Sequence, residues 1–222
     1  INFINCRIKN SYQIMNLLLK SSSIQYPASI KITGSKSETN RLLLLQALYP
    51  NLILENTSNS DDSEVMSRAL NLELTTHNSQ LIDVHHAGTA MRFLTAYFSI
   101  QEGKEIVITG SSRMKERPIK ILVDALNRLG ATIEYEENEG FPPLRIKGKK
   151  FTQNKVSLPA NVSSQYISAL LLIAPKLENG LEITLEGSIT SVPYIKMTLA
   201  LLSEIGVETT FVGNKITVCH AE

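Results

Sequence analysis

The sequence has few of the features that suggest a secreted, membrane-bound or metal-binding protein. Its 222 residues include no tryptophan, two cysteines and four histidines. Cys6 and Cys219 stand near opposite ends of the chain, so we expect no disulfide framework and predict a reducing, cytoplasmic location. The longest apolar runs, such as residues 169–174, are far shorter than the ~20 residues that span a bilayer. No Cys/His spacing suggests a metal site, and no cofactor is expected.

An excess of charge of either sign is also missing. Lys and Arg number 22 and Asp and Glu number 21, which gives a net charge of +1. No overall field therefore favours nucleic acid or a membrane surface as a partner, and an anion site would have to be built locally. Hydrophobic residues make up 43% of the chain, which excludes disorder as its main state.

The same order of patterns occurs three times along the chain. In each repeat, a turn of small or polar residues precedes an apolar helix, a short β-rich run and a second helix. The predicted apolar helices are residues 41–48, 90–98 and 166–174, the β-rich runs 52–55, 105–109 and 181–185, and the second helices 63–72, 118–129 and 194–205. Alternating strands, such as residues 132–135, 144–146, 208–211 and 215–218, close the repeats.

The apolar helices predict the architecture. They are hydrophobic nearly all round, which places them in an interior with the sheets outside them. We predict an α/β domain at residues 27–222 made of three βαβαββ-like subdomains, after a strand segment at residues 15–26 and an unpatterned extension at 1–14. Pro118 and Pro193 are expected in first helical turns, and Gly130 and Gly206 at helix ends.

The starts of the helices carry the residues that best suit anion binding. A helix N-terminus offers unpaired N–H groups and a partial positive charge, and added cations and hydroxyls make a phosphate or carboxylate site. Plain capping by Ser, Thr or Asn is the alternative, although capping does not require cations. The residues concerned are Lys36, Ser37, Arg41, Ser163, Ser164 and Gln165.

A second basic cluster precedes the predicted helix at residues 118–129. Arg113, Lys115 and Arg117 place three cations within five residues at a helix start. This arrangement is unfavourable unless an anion or Glu116 compensates, and a solvated charged turn is the alternative.

Three weaker candidates are polar residues near helix starts. Asp61 and Asp62 are most simply N-cap carboxylates. The neighbours His85 and His86 would not share a face of a strand. Gly88 with the following threonine is a weak phosphate-loop signal, and no Walker or Rossmann pattern is present.

Five motifs follow one another along the chain: GSKSETNR at residues 34–41, AGTAMR at 87–92, RMKERPI at 113–119, VSSQY at 162–166 and SVPYI at 191–195. In order and spacing they resemble the motifs of the 5-enolpyruvylshikimate-3-phosphate (EPSP) synthase family. The resemblance extends from about Met15 to the end of the chain. Three departures from the family's motifs are Thr33, where a proline is usual, His86, where an asparagine is usual, and Phe93, where a proline is usual.

The resemblance implies an enzyme of the shikimate pathway. Such an enzyme transfers the enolpyruvyl group of phosphoenolpyruvate to the 5-hydroxyl of shikimate 3-phosphate and releases phosphate. It has two inside-out α/β domains hinged over a charged cleft and acts as a cytoplasmic monomer. This chain would be the N-terminal half, with a strand around residues 17–19 that belongs to the absent C-terminal domain, and would be inactive alone.

The resemblance also implies ligand contacts, residue by residue. Gly88 would allow the backbone to approach phosphoenolpyruvate closely, and Arg113 would pair with the anionic groups of that ligand. No convincing carboxylate base is present, so no complete catalytic set is expected in this half. Shikimate 3-phosphate would be bound by Lys36, Ser37, Arg41, Ser163, Ser164, Gln165, Ser191 and Tyr194, and phosphoenolpyruvate by Lys36, Gly88, Arg113 and Gln165.

Two alternatives remain open from the sequence. UDP-N-acetylglucosamine enolpyruvyl transferases share the implied fold, but their relatives usually carry a loop cysteine near the second basic motif, where this chain has Ser111 and Ser112. A non-catalytic module for RNA phosphates should interleave basic and exposed aromatic residues. Aromatic residues are 6% of this chain, without such a stripe.

Overall fold

The computed structural model describes residues 27, 29–71 and 80–222, together with the backbone of 6–10 and 13–17. It divides into two compact units, Ile1–Ile32 and Thr33–Glu222. In the first unit, β1 (Cys6–Asn10) and β2 (Gln13–Leu17) pair antiparallel. The segment 1–14 therefore contains strands where the sequence analysis found no pattern, because the alternation in CRIKN is too short to stand out. The predicted strand around residues 17–19 and the rest of segment 15–26 lie outside the described residues, except for the end of β2.

The second unit contains all six predicted helices. They are α1 (Lys36–Leu48), α2 (Asp61–Leu70), α3 (Gly88–Ser99), α4 (Lys120–Leu129), α5 (Ser164–Ile173) and α6 (Val192–Glu204). Pro193 lies in the first turn of α6, and Gly130 and Gly206 end helices with positive φ angles, as predicted. The prediction for Pro118 was wrong, because the next residue, Ile119, is the N-cap with a non-helical φ of −137°, and α4 begins only after it.

Two four-stranded sheets in the second unit have the same topology. The first contains β3 (Gln80–Asp83), β4 (Glu105–Thr109), β5 (Thr132–Tyr135) and β6 (Leu144–Lys147), in the order β3-β4-β6-β5. The second contains β7 (Lys155–Pro159), β8 (Leu181–Glu186), β9 (Thr209–Val212) and β10 (Lys215–Val218), in the order β7-β8-β10-β9. In each sheet the first pair is parallel and the other two are antiparallel. Residues 80–147 and 155–218 are thus two copies of one βαβαββ arrangement.

The helices form the interior of the unit, as predicted. Every residue of α3 is buried, and so are nine of the ten residues of α5. The central strands β4 and β8 alternate between buried and half-exposed positions, so each sheet packs one face on these helices. In the first repeat, residues 52–55 form no strand, contrary to prediction. Ile53 there is 88% exposed, so its apolar neighbours do not mark a buried face.

Candidate anion-binding site

Polar contacts bring the starts of four helices together. The Lys36 ammonium, at the start of α1, lies 3.5 Å from Oδ2 of Asp62 in the first turn of α2. The Asp62 Oδ1 atom accepts a hydrogen bond of 3.0 Å from the backbone N–H of Thr89, at the start of α3. Gln165 in the first turn of α5 donates from Nε2 to Thr89 Oγ1 at 3.2 Å. The helix starts that the sequence singled out therefore lie at one end of the domain.

The sequence suggested that Asp61 and Asp62 cap their own helix, but neither is its N-cap. Ser60 is the N-cap of α2, and its hydroxyl accepts a hydrogen bond from the backbone N–H of Ser63. Asp62 instead serves α3, whose own N-cap residue is an alanine without an acceptor. The Asp61 carboxylate lies 3.3 Å from Nε2 of His86.

Arg41 lies beneath this surface rather than on it. Its side chain donates to Thr198 Oγ1 at 2.7 Å, to Ser168 Oγ at 2.9 Å and to the Ser37 carbonyl at 2.6 Å. Its guanidinium also lies 5.5 Å from the ring centre of the buried Phe93. Arg41 therefore ties α1 to α5 and α6. With 2% of its surface exposed, it is not open to a ligand in this conformation.

The ring of Tyr194 covers part of Arg41. Their separation is 5.9 Å, and Tyr194 itself is 45% exposed. Burial lowers the pKa of Arg41 to about 10, and the nearby Tyr194 hydroxyl acts in the opposite direction. Ser191 is the exposed N-cap of α6, with a left-handed φ of 55°, and its carbonyl accepts a hydrogen bond from the Tyr194 N–H.

The start of α5 combines capping with exposure. Ser163 is the N-cap, and its hydroxyl accepts from the backbone N–H of Gln165 at 3.3 Å. The same residue remains exposed, whereas Ser164 is buried. Capping thus accounts for one hydrogen bond of Ser163 and leaves the hydroxyl accessible to a ligand, so both interpretations of this pair remain compatible with the geometry.

The second basic cluster lies on a cavity of about 690 Å³. A series of tight turns at residues 111–117 forms one wall. The turns are held by a hydrogen bond from the Ser111 N–H to the His85 carbonyl and by the fully buried side chain of Met114. The lining residues are His86, Ser111, Arg113, Met114 and Arg117.

A buried arginine fastens this wall to α3. Arg92 donates to the Gly88 carbonyl at 3.0 Å and to the Pro118 carbonyl at 3.1 Å. The Tyr166 hydroxyl of α5 donates to the same Pro118 carbonyl at 2.7 Å. Burial lowers the pKa of Arg92; Tyr166 acts against this shift and the charge of Arg117 adds to it. The position of the turns is therefore fixed from two buried helices.

The three cations of the cluster have different surroundings. Lys115 pairs with Glu137 and does not line the cavity. Arg113 and Arg117 are exposed and have no carboxylate partner within residues 29–71 and 80–222. Glu116 makes no ion pair in that part of the chain either, so it does not supply the compensation that the sequence suggested. The cavity therefore holds two uncompensated positive charges, and an anion would balance them.

Arg117 was missed as a site residue, and Gly88 has an unexpected neighbour. A Cβ atom on Gly88 would overlap with Nη1 of Arg117. The space that this glycine leaves open is therefore filled by a side chain of the same protein. The sequence did indicate Arg117, because it belongs to the basic cluster of Arg113, Lys115 and Arg117. Only Arg113 of that cluster was assigned a ligand.

Among the described residues, no three His, Cys, Asp or Glu side chains are grouped so as to hold a metal ion. In the same residues, each helix is too short or too polar to cross a lipid bilayer.

The fold and this site define the class of the protein. Helices inside, sheets outside and cations gathered at the helix starts are the features expected of an enolpyruvyl transferase domain. Residues 50–219 match the model of a family described as EPSP synthase (3-phosphoshikimate 1-carboxyvinyltransferase), and the chain belongs to that family.

Curated relatives agree with this assignment, and a solved structure supports the fold. A 3-phosphoshikimate 1-carboxyvinyltransferase of Bacteroides fragilis is 49% identical over 202 residues, which cover 90% of this chain and 48% of the relative. One from Haemophilus influenzae is 42% identical over 205 residues, with 81% and 47% covered. An EPSP synthase structure from Acinetobacter baumannii, at 21% identity, superimposes with a TM-score of 0.70 over 87% of this chain and 47% of that one, which supports the fold. The chain spans about half the length of the curated relatives it matches.

Proposed function

We propose that this chain forms the shikimate 3-phosphate half-site of an EPSP synthase. The whole enzyme would transfer the enolpyruvyl group of phosphoenolpyruvate to the 5-hydroxyl of shikimate 3-phosphate. In the net reaction, a bond forms between the 5-oxygen and C2 of the enolpyruvyl group, the bond from C2 to the phosphate oxygen breaks, and the hydroxyl proton is released with phosphate. We place this reaction in the cytoplasm, in a monomer, with no nucleic-acid partner.

The observation that carries the proposal is the cavity lined by Arg113 and Arg117, beside the linked helix starts. Both substrates are multiply anionic, and a chain with a net charge of +1 must concentrate its cations to bind them. Two arginines without a carboxylate partner among the described residues, together with helix N-termini, supply such a place.

The proposed contacts with shikimate 3-phosphate lie at the starts of α5 and α6. Ser163 and Ser191 are the exposed N-cap residues of α5 and α6, so their hydroxyls suit the phosphate and ring of shikimate 3-phosphate. The exposed ring of Tyr194 would pack on the same ligand. Ser37, Ser164 and Arg41 are less accessible, and we propose that Arg41 reaches the ligand only if Tyr194 moves.

Lys36 and Gln165 would connect the two substrates. Lys36 lies at the surface, and its Asp62 partner is 3.5 Å away, so a ligand anion can compete for the ammonium. Gln165 reaches Thr89 beside Gly88 and thus lies between the start of α5 and the arginine cavity. Positioning and charge stabilisation are the contributions proposed for this half, and general acid–base groups would come from the second domain of the whole enzyme.

Titration of the 222-residue chain tests the proposal. We expect shikimate 3-phosphate to bind weakly and phosphoenolpyruvate to bind more weakly still. With both ligands present, we expect no release of phosphate. Shikimate without its phosphate is the matched control, and should bind about 10- to 100-fold more weakly because a charge-assisted contact is worth ~1.5–3 kcal/mol.

Three results would contradict the proposal. Equal binding of shikimate and shikimate 3-phosphate would remove the phosphate site. Turnover by this chain would show that the chemistry is complete without a second domain. Preferential binding of UDP-N-acetylglucosamine would assign the chain to the other enolpyruvyl transferases.

A further inference from the structure

We infer that Ser168 and Thr198 are positioning residues for Arg41. Their hydroxyls orient its guanidinium and hold it without a counter-ion, so that its charge remains for an anionic group of shikimate 3-phosphate. The inference rests on the proposed function, because the anion belongs to that ligand. Both hydroxyl residues are fully buried, so they act through Arg41 and not by touching the ligand.

Hydrogen bonds join three helices at this point. The Arg41 side chain donates from Nε to Thr198 Oγ1 at 2.7 Å and from Nη2 to Ser168 Oγ at 2.9 Å. The two hydroxyl oxygens are 2.9 Å apart. The Thr198 hydroxyl donates to the Tyr194 carbonyl at 2.9 Å. The edge of the guanidinium that carries Nε and Nη2 is therefore held between α5 and α6.

The direction of each hydrogen bond follows from the number of protons. A hydroxyl has one proton and two lone pairs, and a carbonyl can only accept. Since the Thr198 proton is used on the Tyr194 carbonyl, the hydrogen bond between the two hydroxyls is donated by Ser168. Both oxygens thus turn lone pairs towards the guanidinium.

Arg41 is a buried cation without an anionic partner. Among the described residues it makes no ion pair, and 2% of its surface is exposed. Besides the two hydroxyls, its neighbours include the Ser37 carbonyl at 2.6 Å and the rings of Phe93 and Tyr194 at 5.5 and 5.9 Å. A carboxylate in place of the hydroxyls would cancel the charge, whereas neutral acceptors stabilise the cation and leave its charge uncancelled.

Part of the guanidinium remains for the ligand. Of its five N–H groups, the hydrogen bonds to Thr198, Ser168 and Ser37 use three, which leaves one on each Nη atom. The Tyr194 ring covers part of the group and is 45% exposed. Rotation of this ring opens the two N–H groups to an anion.

Other buried hydroxyls bond to their own helix. In α3, Thr95 and Ser99 are fully buried and donate to carbonyls of the same helix at 2.7 and 2.6 Å. A hydrogen bond of this kind is a common way to satisfy a hydroxyl inside a helix. Ser168, in the equally buried α5, instead bonds across to α1 and α6. Packing alone therefore does not explain its hydroxyl.

Removal of the hydroxyls tests the inference. The Kd for shikimate 3-phosphate is measured by NMR titration of the 222-residue chain. We expect Thr198→Val, which keeps the shape of the side chain, and Ser168→Ala each to weaken binding about 10-fold. Thr198→Ser restores the hydroxyl and should recover most of the affinity lost in Thr198→Val. In an Arg41→Met background, Thr198→Val should have no further effect on the Kd.

Matched controls make the same chemical changes away from Arg41. Thr95→Val and Ser99→Ala remove the buried hydroxyls of α3 and should leave the Kd near that of wild type. Ser168→Asp and its neutral match Ser168→Asn test the charge, since the carboxylate should weaken binding further than the amide. If either of these two chains does not fold, as judged by thermal melting, the Thr198 variants decide the inference.

The Nε proton of Arg41 gives a second readout, without any ligand. It is hydrogen-bonded to Thr198, so its ¹⁵N–¹H signal should exchange slowly with water in wild type. Exchange should be faster in Thr198→Val and unchanged in Thr95→Val.

The outcomes separate this inference from the proposed function. Equal losses of affinity in Thr198→Val and Thr95→Val would reduce the hydroxyl to packing and overturn the inference, with the proposed function intact. Tighter binding by Ser168→Asp than by Ser168→Asn would show that the ligand does not use the uncancelled charge. If wild type binds no shikimate 3-phosphate, the proposed function fails, and the exchange of the Nε proton still decides whether Thr198 orients the guanidinium.

Discussion

Asp62 accepts a hydrogen bond from the backbone N–H of Thr89, so a side chain of one helix caps the next. Its second oxygen lies 3.5 Å from the Lys36 ammonium. One carboxylate thus joins the starts of α1, α2 and α3. Its charge lies beside a helix N-terminus and a lysine, and both favour an anion at this position.

Removing this bridge should lower stability. We expect Asp62→Ala to reduce the free energy of unfolding by about 1 kcal/mol, since loss of a helix cap costs ~0.5–2 kcal/mol. Asp62→Asn keeps an acceptor and should lose less. The matched control is Asp61→Ala, whose side chain is 79% exposed. Urea denaturation measures all three, and equal effects at positions 61 and 62 would contradict the bridging role.

Loss of the surface cations should reduce binding without unfolding the domain. Lys36→Ala should weaken binding of both substrates, and Arg113→Ala that of phosphoenolpyruvate, each by about one to two decades. Both side chains are exposed, so melting temperatures should stay near that of wild type. Lys147→Ala, at the end of β6, serves as the control for lost charge. Unchanged affinity in both site variants would remove these residues from the site.

Arg41 should behave as a structural residue as well as a site residue. Arg41→Met keeps much of the side-chain volume and removes the hydrogen bonds to Ser37, Ser168 and Thr198. We expect the free energy of unfolding to fall by about 2 kcal/mol, the value of a hydrogen bond to a charged group. Arg128→Met, on the surface, should change it by less than about 0.5 kcal/mol. A more stable Arg41→Met variant would mean that burying this charge costs more than its hydrogen bonds return.

Tyr135 should make stability sensitive to high pH. Burial raises its pKa from 10.0 to about 12; Asp124 and Glu139 add to the shift and Lys120 opposes it. The folded pKa exceeds the unfolded one, so its contribution to stability is complete below pH 10 and is lost as pH rises from about 10 to about 12.

Tyr135→Phe is the corresponding test. The buried Tyr135 hydroxyl has no hydrogen-bond partner among the described residues, so at neutral pH its removal should leave stability equal or slightly higher. The variant should also lose less stability between pH 10 and pH 12 than wild type. The measurement is the denaturation midpoint of wild type and of Tyr135→Phe at pH 10 and at pH 12. An equal loss of stability in the two proteins would contradict the role of Tyr135 in the pH dependence.

The sequence predicted the helices and the fold class well because both depend on local patterns. Long apolar runs, such as residues 169–174, identify buried helices wherever they occur. The edge strands β3 and β7 were missed because one face of each is solvated and their apolar signal is short. The strand predicted at residues 52–55 was wrong because apolar character alone does not reveal whether a neighbouring strand is present.

Within the site, the sequence identified the types of residue but not which residues contact one another. Lys36 and Arg41 looked alike as cations at one helix start, yet the first is exposed and the second buried. The difference arises from Ser168 and Thr198, which lie more than a hundred residues further along the chain. Likewise, no local pattern indicates that Gly88 faces Arg117.

The closed topology of the two sheets has a consequence for how the protein is made. Among the described residues, every strand of one sheet comes from residues 80–147 and every strand of the other from residues 155–218, with no exchange between them. Each sheet can therefore be assembled from one continuous stretch as it leaves the ribosome, with low contact order and with its parallel pair bridged by a helix already in place. The first sheet can form completely before the chain of the second has been synthesised. Its strands are therefore unpaired for only a short time during synthesis.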